Sequence, residues 1–274
     1  MDKFRRVGLL ARIHQPQVLD TLSLLIDFLH KEGAEVVVET SLSEYLDGRE
    51  VILAERDAMA ETVDLVIVIG GDGTMLSAAR DMLHCDVPLL GVNRGRLGFL
   101  TDIHPDEFES RLKRVFGGEF VVSNRFLLNT SIIRDGEEVN SGLALNDVVL
   151  HPGKSVRMLE FQLYIDNQFV YSQRSDGLIV STPTGSTAYA LSAGGPILHP
   201  KLDAMVLVPM NPHTLTSRPI AIPGDSKVEI RLGERRDIQP QGTCDGQKDF
   251  VIEAGDLIRI WQESRTLRLI HPVE

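Results

Sequence analysis

The chain has 274 residues, 28 of them lysine or arginine and 39 aspartate or glutamate, for a formal charge of −11 near neutral pH. A surface this acidic repels nucleic acid and anionic membrane alike, and no apolar run approaches the roughly 20 residues that cross a bilayer. The length exceeds what one ordinary core needs and points to two domains, with a single large α/β domain as the alternative.

The start, Met1-Asp2-Lys3-Phe4-Arg5-Arg6, leads into a brief apolar stretch without a small-residue cleavage site, so no signal peptide is expected. Cys85 and Cys244 stand far apart, which predicts a reducing, cytoplasmic setting and no disulfide. The eight histidines lack zinc-ligand spacing, so no metal site of the protein's own is expected.

Val7–Ile13 is a short apolar run that predicts a strand, and Pro16–Lys31 carries Val18, Leu22, Leu25, Ile26 and Leu29 at helical spacing. Gly33 sits where a helix stop belongs, and Glu35–Glu39 has three consecutive valines, the mark of a strand buried on both faces. Asp64–Ile69 is the strongest buried strand; it closes in Gly70-Gly71-Asp72-Gly73-Thr74, with a helix predicted over Met75–Leu83 and a strand over Pro88–Val92. Alternating strands and helices predict a parallel sheet whose ligands bind at the carboxyl ends of strands, where this glycine turn lies.

Beyond about Asn124 the period changes to two: Phe161, Leu163 and Ile165 alternate with polar residues, and Asp135-Gly136 and Asp166-Asn167 signal hairpin turns. Strands are predicted at Leu178–Ser181, Met205–Val208, Lys227–Leu232 and Leu257–Trp261. The expectation is an α/β domain over 1–124 and a β-rich, sandwich-like domain over 125–255, with a ligand cleft between them.

The glycine turn has a logic for phosphoryl transfer. Gly70, Gly71 and Gly73 admit a close ligand approach that a Cβ would block, and the helix start with Thr74 favours phosphate. Asp72 would repel a bare phosphate, so it makes sense as a proton acceptor for an alcohol or beside a metal-loaded nucleotide. The plainer alternative is a tight turn with Asp72 or Thr74 capping the helix. No P-loop, protein-kinase or Rossmann glycine fingerprint occurs.

Three further clusters stand out. Ser175–Pro200 runs an apolar strand into small and hydroxyl residues, with Tyr189 offering a face for a flat ring; a close-packed strand-helix junction is the alternative. Leu145-Asn146-Asp147-Val148-Val149 places an amide and a carboxylate in an apolar strand, where an unsatisfied polar group costs roughly 1–3 kcal/mol. Cys244-Asp245-Gly246-Gln247 reads equally as a β-turn.

Gly-Gly-Asp-Gly-Thr occurs in diacylglycerol and sphingoid lipid kinases and phosphofructokinases too, but the order of motifs is specific. Gly70–Thr74, then Gly91-Val92-Asn93-Arg94-Gly95-Arg96-Leu97-Gly98-Phe99-Leu100, then Asn146-Asp147, Asp176 through Pro200, and Asp245-Gly246 together resemble the NAD kinase family over most of the chain. That resemblance implies ATP-dependent phosphorylation of the adenosine ribose 2′-hydroxyl of NAD, with Asp72 as proton acceptor and Gly73 beside it. It places Asn146 and Asp147 on the adenosine and Thr187, Ala188, Tyr189, Ala190, Leu191 and Ser192 along another wall, with Thr184 and Asp245 as possible additions. Asp176 would approach the nicotinamide side, and Arg157, Arg174 and Gln247 would make looser contacts. One departure is Asp147, where many members have glutamate, one methylene longer. Mg²⁺ or Mn²⁺ is expected to arrive with ATP. The family also implies that residues 256–274 complete the first domain and that the protein is a homodimer or homotetramer. The nearest rivals are a lipid kinase, disfavoured by the charge, and a non-catalytic NAD-binding regulator, which has no need of Asp72.

Overall fold

The computed structural model describes residues 4–13, 16–46, 48–94, 98–104, 107–234 and 237–273. The chain forms two compact units, Met1–Asn124 with Thr266–Glu274, and Arg125–Arg265. The return to the first unit therefore begins at Thr266 and not near 256, because Leu257–Ile260 pair with a strand of the second unit.

The first unit is a parallel α/β sheet. Its strands are β1 (Arg6–Ala11), β2 (Glu35–Glu39), β3 (Ile52–Ala54), β4 (Leu65–Gly70) and β5 (Leu89–Asn93), with helices α1 (Pro16–Lys31), α2 (Arg56–Thr62), α3 (Asp72–Met82) and α4 (Phe108–Phe116). The order β3-β2-β1-β4-β5 is parallel throughout, and the far end of the last strand joins β5 through Leu269 beside Leu89. Helix α1 buries Val18, Leu22, Leu25, Ile26 and Leu29, the predicted stripe, against β1, β2 and β4. It stops at Gly33, whose φ of 79° lets Ala34 N–H bond the Leu29 carbonyl at 2.9 Å. Helix α3 begins three residues before the predicted Met75, at Asp72.

The second unit is antiparallel throughout its registered pairs. Its strands are β6 (Phe120–Arg134, entering from the first unit), β7 (Glu137–Ala144), β8 (Asp147–His151), β9 (Leu159–Ile165), β10 (Gln168–Ser175), β11 (Gly177–Ser181), β12 (Ala204–Met210), β13 (Ile220–Pro223), β14 (Val228–Leu232), β15 (Gln241–Cys244), β16 (Lys248–Val251) and β17 (Leu257–Pro272, leaving for the first unit). One sheet contains β10-β9-β14-β17, and the other runs β13-β12-β11-β8-β15-β16. Phe161, Leu163, Val228, Ile230, Ile258 and Ile260 of the former pack with Val148, Leu150, Leu178, Val180, Met205 and Leu207 of the latter in one core. The hairpins β6–β7 and β9–β10 turn at Asp135-Gly136 and Asp166-Asn167, all four at positive φ, as a two-residue hairpin turn demands. The architecture is the expected one, an α/β unit followed by a β-rich unit.

Candidate active site

In the first unit, β4 is buried at every residue and ends at Gly70. A Cβ at Gly70, whose φ is +156°, would lie 2.5 Å from Thr74 Oγ1, so the strand enters the helix tightly only with glycine there. Gly71 is the N-cap of α3 and brings no side chain to the role; Asp72 is the first helical residue, and no side-chain cap forms. The helix start favours negative charge. The Asp72 carboxylate turns to a later segment, accepting from the Phe99 N–H at 3.0 Å on one oxygen and the Leu100 N–H at 3.1 Å on the other. Gly95, Arg96 and Leu97 of the same motif lie outside the described residues.

In the second unit, strand alternation sorts β8. Val148 and Leu150 enter the core between the sheets, while Asp147, Val149 and His151 share the opposite face. Leu145 and Asn146 are not strand, as expected from their apolar flanks, but a bend between β7 and β8. That bend is held by Asp245, whose carboxylate accepts from the backbone N–H groups of Leu145 (3.1 Å), Asn146 (2.7 Å) and Asp147 (3.3 Å). Asp245 and Gly246 form the positive-φ turn between β15 and β16, closed by Gln247 N–H to the Cys244 carbonyl at 2.9 Å.

The bend is also packed from the β11 side. Thr182 N–H and the Ser181 hydroxyl donate to the Asn146 carbonyl, and the Thr182 hydroxyl donates to the Leu145 carbonyl at 2.6 Å. A Cβ on Gly185 would lie 2.1 Å from the Asn146 oxygen. The hydroxyl-rich segment is thus a scaffold for the bend: Thr184, Gly185 and Ser186 are buried, a short 3₁₀ turn covers Gly185–Thr187, and a single helical turn, α5, spans Tyr189–Ser192.

Two cavities open here. One of about 460 Å³ is lined by Asn146, Asp147, Val149, His151, Ala188, Tyr189, Thr243, Asp245 and Gly246. The other, about 590 Å³, shares His151 and Tyr189 and adds Asp176, Ser192, Met210 and Asn211 among others. Asp147 is 4 % exposed, and burial together with the charge of Asp245 pushes its carboxyl up to about 7. Asp176 accepts a hydrogen bond from the Asn211 side-chain amide at 2.9 Å.

A separate cavity of about 560 Å³ in the first unit, lined by Phe4, Asp86, Phe120 and Arg268 among others, holds the ion pair of Arg268 with Asp86 at 2.8 Å.

Other predicted residues stand apart from the cavity walls. Arg157 pairs with Asp237, and Arg174 with Glu160 at 3.0 Å, both on the exposed surface. Thr187 donates to the Thr184 carbonyl, Thr184 receives Arg125, Ala190 is buried under β11 and β12, and Leu191 is exposed. Of the predicted residues, Asn146, Asp147, Ala188, Tyr189 and Asp245 line the first of these cavities, and Asp176, Tyr189 and Ser192 line the second.

Comparison with known proteins adds the decisive observation. The ATP-NAD kinase N-terminal domain matches residues 7–120, and the ATP-NAD kinase C-terminal domain matches residues 145–272. The chain belongs to the NAD kinase family. Curated NAD kinases of Azotobacter vinelandii and Hahella chejuensis are 53% and 54% identical, each match covering 100% of this chain and 93% and 92% of the relative. Among solved structures, yeast NADH kinase complexed with NADH superposes with a TM-score of 0.91 at 25% identity, covering 100% of this chain and 85% of the other. An NAD kinase from Archaeoglobus fulgidus in complex with ATP gives 0.75 at 26%, covering 97% and 94%.

In this NAD kinase family chain, His151 lines both cavities and Thr243 the smaller one, neither singled out in the sequence. His151 had a signal: it is two residues beyond Val149 and four beyond Asp147 on a strand, hence on the same face. Its Nδ1 accepts the Gly153 N–H at 3.2 Å, so the neutral ring carries its proton on Nε2.

Proposed function

We propose that this NAD kinase family chain moves the γ-phosphate of ATP onto the 2′-hydroxyl of the adenosine ribose of NAD, giving NADP and ADP. The observation that carries the reading is the match of both halves of the chain to ATP-NAD kinase domains. Asp72 accepts the hydroxyl proton as the oxygen attacks the γ-phosphorus; the new O–P bond forms as the bond to the β-phosphate oxygen breaks, and ADP leaves without a phosphoenzyme. Glycines 70, 71 and 73, with Thr74 and the positive end of α3, hold the phosphates.

In the second unit, Asn146 and Asp147 hold the adenosine, with Ala188 and Tyr189 as the other wall, while Asp176 and Ser192 line the nicotinamide side. The two cavities, joined through His151 and Tyr189, support a two-ring ligand. Thr187, Ala190 and Thr184 act behind that wall, Leu191 lies on its exposed side, and Gln247 acts through the turn that carries Asp245. Arg157 and Arg174 are surface contacts to the dinucleotide.

Among the described residues no group of three or more His, Cys, Asp or Glu side chains could hold a metal. A divalent ion, Mg²⁺ or Mn²⁺, would arrive with ATP and would neutralise charge developing on the transferred group. The reaction is a route of NADP biosynthesis, and the low cysteine content, Cys85 and Cys244 alone in the sequence, supports a cytoplasmic setting. Exposed Leu191, Ile197 and Leu215 support a homo-oligomer, dimer or tetramer. No helix of the described residues is long and apolar enough to cross a membrane.

The test is to mix the protein with ATP, Mg²⁺ and NAD and follow NADP with an NADP-specific dehydrogenase, with a diacylglycerol assay alongside. NADP formation that requires both ATP and protein supports the reading; tight NAD binding without NADP would replace it with a binding protein.

A further inference from the structure

We propose that the segment Gly98–Ile103 is the positioning element of Asp72, fixing its carboxylate for proton transfer; this rests on the reading of Asp72 as the base. A carboxylate on the first residue of a helix has free rotation about two side-chain torsions, and a base 1 Å out of place loses much of its effect. Here both oxygens are tied to consecutive backbone amides, Phe99 at 3.0 Å and Leu100 at 3.1 Å. Each oxygen keeps a lone pair for an incoming proton. Backbone donors set on a fixed segment cannot swing away as side chains do.

The segment is itself anchored on two sides. Towards β5, Ile103 bridges Val92, Asn93 N–H donates to the Ile103 carbonyl at 2.8 Å, and Leu100, Thr101 and Ile103 are buried. Gly91 makes this approach possible, since a Cβ there would lie 2.9 Å from both the Leu100 oxygen and Thr101 Cα. Towards the C-terminal end of β17, Asp102 pairs with His271. Phe99 itself is 68 % exposed, so its side chain contributes no anchoring and its amide does the holding.

Gly98 supplies a specific probe. A Cβ built on it falls 2.0 Å from Asp72 Oδ1, and the atoms it meets are those of the Asp72 carboxylate alone among its three nearest. Alanine at 98 therefore displaces the carboxylate itself. Gly98→Ala is expected to lower kcat on the order of 10–10²-fold while the KM values for ATP and NAD change less than about threefold. In an Asp72→Ala background the same substitution adds no further loss, because the group it acts through is gone. His271→Gln, which loosens the far anchor, gives a smaller loss with the same dependence on Asp72. Amide exchange at Phe99 and Leu100 accelerates in Asp72→Ala.

A wild-type kcat for a folded Gly98→Ala protein, or an equal loss with and without Asp72, overturns the proposal. Unchanged exchange at both amides in Asp72→Ala also overturns it. If Asp72→Ala alone keeps wild-type turnover, the reading of Asp72 as the base fails, and the exchange experiment still judges the hydrogen-bonded hold separately.

Discussion

Asp245 accepts a hydrogen bond from the Asn146 backbone N–H at 2.7 Å across 99 residues of sequence, so a turn carboxylate near the end of the second unit shapes the bend that presents Asn146 and Asp147. The same charge helps raise the Asp147 carboxyl to about 7. One residue thus organises the backbone of the site and its electrostatics.

Asp245→Ala releases three backbone amides, those of Leu145, Asn146 and Asp147. Hydrogen bonds to a charged acceptor contribute roughly 1.5–3 kcal/mol each, partly recovered here by water. The expected result is a stability loss of about 1–3 kcal/mol in urea unfolding and at least a tenfold rise in the KM for NAD, with the KM for ATP unchanged.

Asp147 gives a pH dependence with a definite sign. Its folded pKa is raised from 3.8 to about 7, so the unfolded chain ionises first, and this group's contribution to stability falls as pH rises from about 4 to about 7. Asp147→Asn removes that loss. Denaturant unfolding should show the variant gaining about 2–4 kcal/mol on the wild type between pH 4 and pH 8; an equal difference at both pH values would contradict the raised carboxyl.

His151 links the two cavities of the second unit and holds a proton on Nε2 when neutral. His151→Ala is expected to raise the KM for NAD about 5–30-fold, the scale of a hydrogen bond worth roughly 1–2 kcal/mol, and to leave kcat within about threefold. Steady-state kinetics with NAD varied at saturating ATP checks it.

Gly185→Ala drives a Cβ to within 2.1 Å of the Asn146 carbonyl oxygen, a backbone atom that cannot rotate aside. A thermal melt should show destabilisation of about 1–3 kcal/mol, accompanied by weaker NAD binding.

Much of the first unit could be read before folding. The Pro16–Lys31 helix and Glu35–Glu39 strand have the bounds that the apolar period and Gly33 predict. The turns at Asp135-Gly136 and Asp166-Asn167 follow from two-residue turn chemistry. Other features carried no local signal. Strand β3 is three residues long at a sheet edge, too short for any period to show. The early start of helix α3 is hidden in the sequence because Gly-Asp-Gly-Thr has weak helix propensity; its place after β4 holds it helical. Asn146 lies in a bend, not a strand, because the Asp245 carboxylate claims its amide. The hold of Phe99 and Leu100 on Asp72 is made by backbone, so side-chain identity at 99 and 100 does not encode it. Asp72, Asn146 and Asp147 stand out in the sequence because glycine turns and polar residues in apolar runs need a reason, and Tyr189 as a face for a flat ring; Ala188, Arg157 and Arg174 enter only through the family resemblance, and the two arginines sit in surface ion pairs.

The most direct test of the account follows the labelled γ-phosphate of ATP into NAD in a single turnover with Mg²⁺, comparing wild type with Asp72→Asn. The account predicts label on the 2′-position of the adenosine ribose, with the chemical step slowed on the order of 10²–10⁴-fold in the variant while NAD still binds. An Asp72→Asn protein that transfers label at the wild-type rate would contradict it.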